Sequence, residues 1–271
     1  RQRAGFESQG PAGLPADCRR PKGAKMPKIY EPLAHVLNDA EWGESMLETV
    51  PSPWNVRETR MTMDARSDPD PLKTVLFQEI DRYNSLLGTV KAQLKQLVLA
   101  VQGLVSITPL LEEVMGSLLD FKVPKVWGKT YPSIKALAPW MRDLSERYDA
   151  FEAWIGDARP QCFWLPSFTF PTGFRTALLQ TSARKNGIAI GTLPWEFPIV
   201  NQDASSITQY AKDGAYIKGL FLEGARWDSD NGYLTEPIPM ELMATMPVIH
   251  FKPVANQPQV TKGIYSCPLY M

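Results

Sequence analysis

An α+β fold, in which a helical bundle leads into a further helix and a small antiparallel, barrel-like sheet, is predicted by three observations. Apolar residues recur at helical spacing from Leu76 to Ile155. Proline and glycine punctuate that pattern where helices should start and stop. After Gly187 the texture changes to short β-prone runs separated by Gly, Pro, Asn and Asp. With 271 residues, 44% of them hydrophobic, the protein can bury a substantial core.

Residues 1–44 read as a disordered tail and linker. Seven Lys/Arg fall in the first 28 positions against Glu7 and Asp17, and little there could be buried. The run Arg19-Arg20-Pro21-Lys22 has the composition of a localisation or nucleic-acid signal, but short basic runs are ordinarily solvated linker. Helical structure is predicted from Asp70-Pro71, an N-cap followed by proline at the first helical position, where its missing N–H costs nothing. Leu76, Ile80, Tyr83, Leu87, Val90, Leu94, Leu97, Val101 and Leu104 then step by three and four. One helix of about 33 residues, roughly 50 Å long, follows. Thr108-Pro109 opens a second helix carrying Leu110, Leu111, Val114, Leu118 and Leu119. A third stripe, Met141, Leu144, Tyr148, Phe151 and Ile155, stops at Gly156. Short connections favour mutual burial within one polypeptide over a zipper between two.

A fourth helix is expected near Pro171, closing at Lys185-Asn186-Gly187 with a basic last turn and left-handed-prone residues. Beyond it, Ile188–Ile190, Ala215–Leu222 and Pro247–Phe251 are the predicted strands. Arg226-Trp227 and Tyr233-Leu234 flank Asp228-Ser229-Asp230-Asn231-Gly232, a hairpin whose Asn-Gly step suits positive φ.

Charge and composition exclude several function classes. The 29 basic and 29 acidic residues cancel, so no global field holds nucleic acid or an anionic membrane. Cys18, Cys162 and Cys267 are odd in number and contain no C-x-x-C pair, which indicates neither a disulfide framework nor a zinc site. No apolar run approaches the about 20 residues that span a bilayer. Gly128-Lys129-Thr130 imitates the end of a P-loop, yet Val123 occupies the position of the required earlier glycine. Asp228, Asp230 and Asn231 suggest a calcium loop, but its glycine comes one position early and Pro239 stands where a bidentate Glu belongs. His35 and His250 are the only histidines, Cys162 lies in an aromatic run, and no general acid/base pair emerges. The aromatics Phe163, Trp164, Phe168, Phe170, Phe174, Trp195, Phe197, Phe221 and Trp227 lack an interleaved basic stripe, so they read as a seam between the helical and β parts rather than a base-stacking groove.

Gly219 to Asp228 (Gly-Leu-Phe-Leu-Glu-Gly-Ala-Arg-Trp-Asp) closely resembles the signature of the C-terminal region of dynein heavy chains. Cys162 to Gln180, Ala183-Arg184-Lys185-Asn186, Leu193-Pro194-Trp195-Glu196-Phe197, Met246-Pro247-Val248-Ile249-His250 and Tyr265-Ser266-Cys267-Pro268-Leu269-Tyr270 resemble family blocks in the same order. Upstream, Met46 to Trp54, Leu104-Val105-Ser106, Val123 to Trp127 and Tyr131 to Lys135 look like the helical lid of the sixth AAA+ module, so the resemblance covers about 45–271. Axonemal dyneins fit better than cytoplasmic ones. The resemblance implies a lid-like domain at 45–158 and a C-terminal domain at 159–271. It implies no catalytic residue, metal or cofactor here, with ATP and Mg bound by upstream AAA+ modules of a full-length heavy chain. The implied partners are the ring modules of the same heavy chain, dynein intermediate and light chains and, through the whole motor, the microtubule, with neither nucleic acid nor membrane. The implied location is the cytoplasm and cytoskeleton, in the axoneme of cilia and flagella. Interface candidates are Trp164, Phe170, Gly173, Phe174, Trp195, Phe221, Glu223, Arg226 and Trp227, with Arg226 placed to pair with Glu223 or Asp228. A free-standing scaffold or adaptor that reuses the same module is the alternative. The family continues with Lys-Thr and further strands where this sequence ends at Met271, which predicts an open strand edge and self-association at micromolar concentration.

Overall fold

The structure, a computed structural model, describes residues 40–254. Most of the basic tail and the block Tyr265–Tyr270 lie outside the described residues. The first helix, α1 (Ala40–Thr49), begins inside the 1–44 stretch expected to be tail and linker. It is followed by α2 (Val56–Asp64), α3 (Asp70–Val101), α4 (Pro109–Leu119), α5 (Lys125–Thr130), α6 (Leu137–Gly156) and α7 (Pro171–Asn186).

The 32-residue α3 is the centre of the molecule. Leu76, Ile80, Leu87, Val90 and Leu94 along its stripe have no exposed surface. At its C-terminal end α1 packs so closely that a Cβ on Gly43 would lie 2.5 Å from Val98 Cγ2. The stripe ends one turn before Leu104. Gly103 takes φ +73 and the Leu104 N–H closes on the Leu99 carbonyl, which turns Leu104 outward to 69% exposure. Thr108 caps α4 as expected, its hydroxyl accepting from the Leu111 N–H. Beside α3, Trp127 of α5 stacks on Trp140 of α6 and donates its indole N–H to Gln93 Oε1 at 2.6 Å.

The strands are β1 (Cys162–Trp164), β2 (Trp195–Glu196), β3 (Ile199–Val200), β4 (Ala215–Lys218), β5 (Phe221–Glu223), β6 (Arg226–Asp228), β7 (Tyr233–Thr235), β8 (Met243–Thr245) and β9 (Val248–Pro253). The main sheet has the order β1-β4-β9-β2, with β3 also pairing β9. β4 and β9 pair antiparallel, and so do the two-stranded ladders β5–β8 and β6–β7. The α+β class holds, and four details differ from expectation. The pairing of β1 with β4 is parallel, because the backbone returns through α7 before adding β4, and the strands do not close into a barrel among the described residues. Ile188–Ile190 forms no strand: the Ile188 N–H is spent closing α7 on the Ala183 carbonyl, and a 3-10 turn follows at Ile190–Thr192. The predicted run Ala215–Leu222 divides at Gly219, whose φ of +88 turns β4 into β5. One buried apolar cluster extends from Met46 through α3 and α6 to Phe163, Phe174, Ile217 and Phe251, so the helical and β regions share a single core.

Candidate functional site

Two buried charged side chains, Glu79 and Arg147, lie at the junction between α3, α6 and the start of α7. Phe170, the residue preceding α7, offers no capping side chain, and no acidic residue lies in the first turn of that helix. The missing acceptor comes from another helix. Glu79 of α3 has no exposed surface; its Oε2 accepts from the Thr169 N–H (2.8 Å) and hydroxyl (2.6 Å), and its Oε1 from the Phe170 N–H (3.0 Å). Arg82, one turn on, donates to the same Oε1 at 2.9 Å and places its guanidinium 5.5 Å from the Phe170 ring. A carboxylate there also complements the positive end of the α7 dipole.

The second anchor is Arg147 of α6, only 2% exposed. Its guanidinium lies 3.3 Å from the Tyr131 ring centroid and 5.9 Å from that of Trp164, with Asp143 Oδ2 at 3.6 Å. Asp143 also accepts from Lys135 at 2.7 Å, and Tyr131 donates to the Pro166 carbonyl at 3.2 Å, tying the loop after α5 to the segment after β1. Burial pushes the Tyr83 hydroxyl well above the usual tyrosine range, and the nearby Arg147 charge opposes this. Burial likewise raises the Cys162 thiol, opposed by Lys218, which keeps it protonated and poorly nucleophilic at neutral pH.

Between these anchors runs the aromatic seam. Phe168 stacks on Phe174 at 4.4 Å, Phe163 meets Trp154 edge-on at 5.4 Å, and Phe151 meets Phe168 at 5.7 Å. A cleft of about 610 Å³ opens beside it, lined in part by Glu146, Ala150, Trp154, Cys162, Trp164 and Lys218.

Of the sequence-predicted interface residues, Trp164, Phe170, Gly173 and Phe174 converge on this junction. A Cβ on Gly173 would approach Phe170 Cδ1 to 2.7 Å, so the glycine makes room for that ring. Trp195 belongs instead to a second aromatic group with Phe197 and Phe251. Phe221, Glu223, Arg226 and Trp227 sit on the peripheral ladders, away from the seam. Arg226 forms no ion pair with Glu223 or Asp228 among the described residues. Asp228 instead serves the turn, accepting from the N–H groups of Asp230 and Asn231 and from Asn231 Nδ2, bonds that hold its carboxyl below the usual range. The calcium-loop residues are thus a hairpin turn. Gly128-Lys129-Thr130 closes the six-residue α5 rather than opening a helix, the reverse of its place in a P-loop. No cluster of three or more His, Cys, Asp or Glu suited to a metal occurs among the described residues. Glu79 and Arg147 escape a reading of the sequence alone. Both lie on apolar faces, Glu79 three positions after Leu76 and Arg147 three after Leu144, and a charge at such a position is the available signal.

Residues 39–271 match the family model described as the C-terminal domain of the dynein heavy chain. The protein belongs to that family. It is 48% identical over 227 residues to the Dynein-1-beta heavy chain, flagellar inner arm I1 complex, of Chlamydomonas reinhardtii, covering 83% of this sequence and 5% of that protein. Human Dynein axonemal heavy chain 2 is 48% identical over 204 residues, 75% of this sequence and 5% of that one. Mouse Dynein axonemal heavy chain 1 is 40% identical over 228 residues, 84% of this sequence and 5% of that one. The protein therefore spans about 5% of the length of these relatives. Within this domain the backbone itself makes strict conformational demands at particular positions. In the family-like block, Gly219 is the clearest case: at φ +88 a Cβ would lie 2.5 Å from Trp164 Cδ1 and 2.9 Å from Pro166 Cδ. Gly219→Ala should cost about 2 kcal/mol or more through left-handed strain and ring displacement, read as a lowered denaturation midpoint. Gly224→Ala, whose Cβ would meet nothing within 4 Å, should cost only the backbone part, about 1 kcal/mol.

Proposed function

We propose that the protein is the C-terminal, non-catalytic portion of an axonemal dynein heavy chain, which caps the AAA+ ring and supports minus-end-directed motility of cilia and flagella. The observation that carries this reading is the junction of Glu79, Arg147 and the aromatic seam, which makes a lid-like helical unit and a β unit one stiff piece. A stiff cap bridging modules is what passing nucleotide-driven changes around a ring requires. The names of the axonemal and flagellar relatives support the same reading. Residues 45–158 then act as lid helices of the last AAA+ module and 159–271 as the C-terminal domain. ATP and Mg bind modules upstream, while intermediate chains, light chains and the microtubule are engaged by the whole motor in the axoneme.

An antibody raised against this segment tests the proposal on isolated axonemes. A band of heavy-chain size is expected; a band at 30.4 kDa alone would instead identify a free-standing adaptor. Titration of Mg-ATP into the protein should give no binding heat at micromolar concentration. Micromolar affinity that disappears in Lys129→Ala would overturn the non-catalytic assignment.

A further inference from the structure

Two surfaces expose many large apolar side chains. The corner between α3 and α4 presents Leu99, Leu104, Val105, Ile107 and Leu110, with no charged residue between Lys95 and Glu112. The two ladders β5–β8 and β6–β7 are different. Phe221, Tyr233 and Leu234 on the ladders, with Ile238 and Leu242 in the segment joining β7 to β8, are 42–55% exposed, and they are interspersed with carboxylates. Between Gly219 and Thr245 stand Glu223, Asp228, Asp230, Glu236 and Glu241 against the single cation Arg226, in a protein that is neutral as a whole. None of the five carboxylates forms an ion pair among the described residues, and only Asp228 is committed to its own turn.

The arrangement mixes the two chemistries on one small module. Phe221 and Glu223 both lie on the exposed side of β5, Trp227 faces Leu234 across the second ladder and Asp228 faces Tyr233, while the Gly224 N–H donates to the Leu242 carbonyl at 3.0 Å and prolongs the β5–β8 ladder, beside which β6 packs. A purely apolar partner would strip water from the carboxylates without compensation, and a purely polar one would leave the apolar groups wet. A partner that satisfies both carries Lys or Arg beside apolar residues. We infer that the β5–β8 and β6–β7 ladders form a docking surface for a basic amphipathic segment supplied by the remainder of the same heavy chain. The inference rests on the function proposed above. Each ladder has only three residue pairs, so the surface is small, and a tethered partner at high effective concentration needs little intrinsic affinity.

Zero-length carbodiimide cross-linking tests this, because it joins carboxylates directly to lysines in contact. In the purified full-length heavy chain, Glu223, Glu236 and Glu241 should cross-link to lysines of one basic, apolar upstream segment. The triple variant Glu223→Gln, Glu236→Gln, Glu241→Gln should lose those products at least tenfold while cross-links elsewhere persist, and Leu234→Ser with Phe221→Ser should deplete them without changing the melting temperature of this segment. Cross-links to a different polypeptide, or none from the ladders while other carboxylates react, would overturn the inference and leave the parent reading intact. A product found only as a 30.4 kDa polypeptide would overturn the parent reading and this one with it.

Discussion

Leu94→Asp should lower stability by several kcal/mol and Lys95→Asp by under about 1 kcal/mol, although the two positions are neighbours. Leu94 has no exposed surface and lies in the middle of the buried stripe of α3, so an aspartate there is an unpaired charge in the core. Lys95 points to solvent and forms no ion pair among the described residues. Urea denaturation followed by tryptophan fluorescence reads the difference, and equal midpoints for the two variants would refute the register of α3.

Glu79→Ala is expected to cost about 3 to 5 kcal/mol, the range for breaking a buried charged network by removing one partner. The loss strands the N–H groups of Thr169 and Phe170 and removes the carboxylate from the start of α7. Glu79→Gln keeps the shape and one acceptor oxygen, so it should recover part of the loss. Arg82→Ala should cost about 1 kcal/mol or less, because Arg82 side-chain atoms are 38% exposed and its pairing is screened by water. Differential scanning calorimetry separates the possibilities: if Glu79→Ala melts like the parent protein, the carboxylate is a bystander to the fold.

Helix positions are legible in the sequence wherever the determinant is local. Pro109 at the first helical position, the stripe from Leu76 to Val101, and Gly187 at φ +65 as the end of α7 each need only neighbours within a turn or two, whereas α3 starts one residue earlier than an Asp70 cap implies, with Pro69 as its N-cap and Pro71 second in the helix. The hairpin around Asp228 is equally local. What escapes depends on separation along the backbone. Glu79 acts on residues about 90 positions away, and the parallel β1–β4 pairing joins segments separated by α7, so neither leaves a periodic trace. Ile188–Ile190 misleads because its β-branched side chains suit a strand while the Ile188 N–H is already spent on closing α7. The seam is legible as a group of aromatics, but their partition is not: Phe163, Phe168 and Phe174 are buried, while Phe221 is 48% exposed on a ladder. Composition cannot tell a core ring from a surface one.

The continuity of α3 has a mechanical meaning. The helix is gripped by α1 near Val98 and by the α7 cap at Glu79, two points about 28 Å apart along its axis. No proline interrupts the helix between them, and its one glycine there, Gly88, sits within the regular helical run. A push on one grip therefore turns the whole rod about the other, and the sheet carried by α7 swings as the far arm of a lever rather than as a separately hinged body.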